Sequence, residues 1–132
     1  MAGILIWHVN CTICVMANGR IRIYEKSFIG RMAAYKLGAS AVALTIGRTI
    51  HLHNVDKDDF KADRRWVVHE LKHVEQFMRY GFLPFIFMYV VEYIRKGYWE
   101  NRFEVEARAA EDEVIDSGTV MSELLNDYHR TC

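Results

Sequence analysis

Apolar residues change their period along this chain, and the changes mark its elements. In ICVMA (13–17) and RIRIYE (20–25) they follow a strand-like pattern on either side of Asn18-Gly19. That dipeptide favours a two-residue hairpin turn, so a hairpin is predicted there. Ser27 is a suitable N-cap for a short helix that runs to about Leu37 and stops at Gly38. AVALTI (41–46) and RTIHLHN (48–54) are rich in β-branched residues and separated by Gly47. They read as two strands, joined as a hairpin or lying as irregular neighbours.

The period then becomes helical. DKDDF (56–60) supplies cap candidates and acidic residues for a helix start. Val67, Leu71, Val74 and Met78 recur at i, i+4, i+7 and i+11, and the stripe stops at Gly81. Pro84 suits the first turn of a second helix ending near Gly97. Further helices are predicted over about 101–116 and 119–129. The fold class is α+β: a few N-terminal strands, then a helical C-terminal part.

Composition narrows the function classes. With 132 residues, 52% hydrophobic, one globular domain over 1–132 is expected. Lys+Arg and Asp+Glu both number 17, so the basic footprint of a nucleic-acid binder is missing. Three cysteines, Cys11, Cys14 and Cys132, make no disulfide framework. The apolar N-terminus has no basic residue ahead of it, and FLPFIFMYVVEYI (82–94) is shorter than the roughly 20 residues of a membrane span. A cytoplasmic protein is expected. The 82–94 segment is read as a buried or groove-lining helix, with membrane-surface contact or an oligomer interface as alternatives.

The chemistry concentrates in VVHELKHVEQF (67–77), which contains His-Glu-x-x-His. Residues four apart share a helix face, so His69 and His73 can both reach one ion about 2 Å away. Glu70 is rotated by about 100° and stands beside that ion, where it can take a proton from water polarised by zinc. The bland reading is two histidines on a solvated face. The flanking Val67, Val68, Leu71 and Val74 argue for a buried helix, whose polar groups need partners.

A catalytic zinc site usually has a third protein ligand and an open position. His51 and His53 lie on one side of a predicted strand, His129 is near the C-terminus, and Cys11 and Cys14 form only half of a CxxC pair. ENRFEVEARAAED (100–112) offers Glu104, with Glu106 as its rival on another helix face. Glu104 could instead close a capping box with Asn101.

HELKHVEQF followed by NRFEVEAR resembles the gluzincin metallopeptidases, in which a Glu from a following helix completes the zinc site of HExxH. RFEVEAR is similar to the E-x-x-A-D segment of CAAX-prenyl-type membrane peptidases, and more closely to small bacterial HELxHVxQ domains. The resemblance covers about 41–112. It implies a minimal gluzincin-like domain, zinc held by His69, His73 and Glu104, and Ala107 as the small residue. Arg108 stands where the family has an acidic residue that orients a histidine, and Arg cannot accept that hydrogen bond. Glu111 or Glu106 are the candidates to replace it. The resemblance also implies a substrate-binding edge strand beside the HExxH helix, assigned to Arg48, Thr49, Ile50, His51, Leu52 and His53.

The function expected is peptide-bond hydrolysis with Glu70 as general base and a peptide or protein as substrate. Tyr98, Tyr80, His53 and Arg108 are candidates to stabilise the oxyanion. The alternatives are a non-catalytic zinc-binding interaction domain on the same scaffold, and a membrane-surface or partner-binding protein with an accidental motif.

Overall fold

The computed structural model describes residues 21–116. The predicted hairpin turn at Asn18-Gly19, the helix over 119–129, His129 and the three cysteines lie outside them. In chain order the elements are β1 (Arg22–Tyr24), α1 (Phe28–Leu37), β2 (Val42–Ile46), β3 (Thr49–His53), α2 (Lys57–Ala62), α3 (Arg64–Tyr80), α4 (Phe82–Glu100) and α5 (Arg102–Asp116). This is the α+β arrangement expected, a small mixed sheet followed by helices.

Strand order is β1-β3-β2, with β1 parallel and β2 antiparallel to β3. The β2–β3 hairpin turns tightly at Gly47, whose φ of 63° is the left-handed backbone that glycine tolerates. The order corrects one expectation. Of the residues assigned to that edge, Thr49–His53 form the central strand, flanked by β1 and β2, so their backbone is not open to a peptide. Among the described residues the edge strand beside the HExxH helix is β2.

Period-2 alternation gives β3 two distinct faces. Ile50 and Leu52 are buried in a core with Ile21, Phe60, Val67, Leu71 and Val74, which seats α3 against the sheet. The opposite face carries α1, whose start is capped by the Ser27 side chain and whose end is Gly38 at φ 65°. Gly30 lets α1 come close: a Cβ there would stand 3.1 Å from His53 Cβ and 3.2 Å from the Leu52 carbonyl carbon.

The helix start predicted in 56–60 becomes two helices, because Asp63 ends α2 and caps α3 by accepting from the Trp66 N–H at 3.1 Å. Gly81 ends α3, and Gly97, at φ 76°, breaks α4 where its end is predicted. A second cluster of Phe77, Phe85 and Phe103 ties α3, α4 and α5 together. Leu83, Phe87 and Ile94 of α4 are exposed. No single helix among the described residues is long and apolar enough to cross a membrane. The pair α3 and α4, bent by 118°, meets that test only when taken together.

Candidate metal centre

Helix α3 is buried from Val67 to Phe77 on nearly every side, its polar residues included. Its apolar stripe faces the sheet and its polar stripe faces α5. The contacts run in opposite directions along the two helices: Arg65 to Glu111 and Asp112, His69 to Glu111 and Glu104, His73 to Glu104, and Arg79 to Glu106. An antiparallel polar seam therefore joins the HExxH helix to the helix carrying the third predicted ligand.

Three ligand atoms converge in that seam. His69 Nε2 lies 3.1 Å from His73 Nε2 and 3.1 Å from Glu104 Oε2, and His73 Nε2 lies 3.3 Å from Glu104 Oε1. These three residues form the group that could hold a metal ion. A tetrahedron with ligand distances of about 2.0–2.1 Å has edges of about 3.3 Å, so the spacing fits such an ion. The outer nitrogens are engaged as well, His69 Nδ1 with Glu111 Oε1 at 2.6 Å and His73 Nδ1 with Gln76 Oε1 at 2.9 Å. Since an ionised carboxylate only accepts, His69 donates from Nδ1. Its Nε2 lone pair then points at another nitrogen and a carboxylate, an arrangement that calls for a cation between them.

Without a metal, a proton takes that place. Burial opposes charge on His69, yet its bond to Glu104, the field of Glu70 and the bond to Glu111 prevail and raise its pKa to about 9. His73 is raised against burial by Glu104 in the same way. Glu104 is buried, but the hydrogen bonds from His69, His73 and Tyr89 hold its carboxyl well below the usual range. Burial and the Glu104 charge keep Tyr89 and Tyr98 protonated, and the Tyr89 hydroxyl donates to Glu104 Oε1 at 2.6 Å.

Glu104 does not close a capping box. Asn101 alone caps α5, accepting from the Phe103 N–H at 3.1 Å, and Glu104 is free to face the histidines. Glu106 is not a ligand: it faces Gln76, Arg79 and Lys72. Glu111, one of the two residues expected to orient a histidine in place of Arg108, is the one that accepts from His69 Nδ1. Arg108 stacks on Trp99 and donates to its carbonyl instead.

Glu70, 4% exposed, is held by Thr45 of β2, whose hydroxyl donates to Glu70 Oε2 at 2.6 Å. Both carboxylate and ligands open into a groove of about 410 Å³ between β2 and α4. Its walls are mainly apolar, among them Leu37, Leu44, Phe85, Ile86, Val90 and Tyr93. Tyr98 lines this groove near Glu104, and Arg108 lines its continuation past Glu111.

The remaining sequence candidates lie elsewhere. His51 bonds Ser27 Oγ at 2.9 Å and stacks on Tyr24, while His53 lines a polar hollow with Lys26, Arg31 and Asp59. Both face α1 across the sheet, so neither is a third ligand and His53 is no oxyanion donor. Tyr80 packs on Phe85 and Phe103. Tyr89 and Thr45 were not singled out by sequence reasoning, and Gln76 entered only as the last residue of the HELxHVxQ likeness. Tyr89 sits unmarked in an apolar run, and the other two make contacts that only the folded chain creates.

A family model described as the eCIS core domain matches residues 19–80. The chain is similar to that family from β1 through the HExxH helix, just under half its length. The match stops before α5 and Glu104. No curated protein and no solved structure matches the chain.

Proposed function

We propose that this protein is a zinc-dependent peptidase with Glu70 as its general base. The observation that carries the reading is the separation of roles: two histidines and Glu104 converge at metal-ligand spacing, while a fourth buried group, Glu70, is tethered beside them and opens onto a groove. The two-histidine, one-carboxylate donor set suits zinc. Zinc held there supplies Lewis acidity that makes water nucleophilic near neutral pH.

The chain's own residues supply the rest. Glu70 accepts the proton of the attacking water and returns it to the leaving amine. Thr45 fixes the carboxylate that does so. Tyr98, protonated and beside Glu104, is the donor suited to the oxyanion. The edge of β2, unpaired among the described residues, favours an extended peptide or protein substrate paired along Val42–Ile46, and the apolar wall favours a hydrophobic side chain. The likeness to the eCIS core domain reaches the HExxH helix and names no activity; the gluzincin reading rests on the ligand set.

The test is hydrolysis of a quenched fluorescent peptide library by zinc-loaded wild type and Glu70→Gln. Cleavage by wild type, reduced about 100-fold or more in Glu70→Gln with zinc retained, is expected. A fully zinc-loaded wild type that cleaves nothing would favour the non-catalytic zinc-binding interaction domain.

A further inference from the structure

Gln76 is wholly buried one helical turn after His73, at 0% exposure. Its amide makes three hydrogen bonds. Nε2 donates to the Phe103 carbonyl at 3.0 Å and to the Glu106 carboxylate at 2.8 Å, and Oε1 faces His73 Nδ1 at 2.9 Å. The opposite orientation would set Oε1 against a carbonyl and a carboxylate, neither of which can donate. The amide is therefore held one way round.

That orientation decides the state of His73. With an oxygen facing it, Nδ1 carries the hydrogen and Nε2 keeps its lone pair toward His69 and Glu104. Glu106 is itself fixed, by Arg79 Nη1 at 3.1 Å and Lys72 Nζ at 3.4 Å. Lys72 in turn pairs with buried Glu75 at 2.7 Å. This polar network on the far side of the ligands has no part in the chemistry proposed above.

We infer that Gln76 and Glu106 are a positioning pair that locks His73 as its Nδ1–H tautomer and so presents Nε2 to the metal. They touch neither metal nor substrate. The inference rests on the metal-site reading of His69, His73 and Glu104, and does not depend on hydrolysis. His69 is backed by a charged carboxylate and His73 by a neutral amide, so the two ligands differ in basicity.

The pair can be tested by exchanging its members. Gln76→Glu sets two carboxylates against each other and removes the donor to Glu106. Adding Glu106→Gln restores one donor and one acceptor, with a carboxylate now on His73. Zinc affinity of the full chain is measured by chelator competition. A loss of about 10–100-fold in Gln76→Glu is expected, and recovery of most of it in the double variant. An unchanged Gln76→Glu, or a double variant as weak as the single one, overturns the pair.

Long-range ¹H–¹⁵N spectra of the zinc-loaded wild-type histidines need no variant. They should show His73 protonated at Nδ1 and zinc on Nε2; zinc on Nδ1 overturns the inference. A wild type that binds no zinc overturns the metal reading and the pair with it, whereas zinc bound without coupling to residues 76 and 106 overturns the pair alone.

Discussion

Thr45 on β2 and Glu70 on α3 are joined by a hydrogen bond of 2.6 Å between buried side chains. The bond links the edge strand that borders the groove to the carboxylate proposed as general base. Thr45→Val keeps the shape and β propensity and removes only the donor. It should lower peptidase kcat roughly tenfold, on the scale of one charge-assisted hydrogen bond, and leave zinc content unchanged. Steady-state kinetics beside metal analysis checks both halves.

Proton and metal compete for one place. The pKa of His69, raised to about 9 in the metal-free fold, exceeds the unfolded value of about 6.5. A raised folded pKa gives stability that is complete below the unfolded value and is lost as pH rises through the folded one. The metal-free protein should therefore lose Tm between about pH 6.5 and 9 from this source. Bound zinc needs deprotonated ligands. The zinc-induced rise in Tm should be larger at pH 9 than at pH 6.5, read by calorimetry on matched samples.

Glu111 holds His69 from behind at 2.6 Å. In Glu111→Gln the amide oxygen can still accept from Nδ1, but the charge is gone and Arg65 loses a partner. Zinc affinity should fall about tenfold, toward the low end expected for a residue behind a metal ligand. Glu111→Leu should lose more. Chelator competition on both variants gives the order.

Gly30 tests the packing that supports the site from the other face of the sheet. A Cβ there would meet His53 Cβ at 3.1 Å and the Leu52 carbonyl carbon at 3.2 Å. Gly30→Val adds branches to that conflict and should cost about 1–3 kcal/mol, as overpacking does. Denaturant unfolding measures the loss, and the zinc stoichiometry of the folded fraction should stay unchanged.

Local signals carried much of this protein. Ser27 and Gly38 bound α1 as caps do, and the stripe through Val67, Leu71 and Val74 delimits the buried helix, because capping and helical period depend on neighbours in sequence. His69, Glu70 and His73 were readable for the same reason. Glu104 was a candidate in 100–112 with Glu106 as its rival, a resemblance implied the same residue, and the structure brings it to the two histidines.

Sheet order was not readable. Nothing local in RTIHLHN distinguishes a central strand from an edge, and the parallel pairing with β1 that makes β3 central joins residues 27 apart, Arg22 to Thr49. The groups behind the ligands were hidden similarly. Glu111 meets His69 across 42 positions and Glu106 meets Gln76 across 30. Arg108 marked the place of a missing acid, and α5 supplies one from the next turn.

The most direct measurement is zinc per chain by mass spectrometry, in wild type, His73→Ala and Glu104→Ala, each shown to be folded by circular dichroism. About one zinc per wild-type chain is expected, and its loss from both variants. A wild type that takes up no zinc on reconstitution, or a Glu104→Ala that keeps all of it, would contradict the site described here.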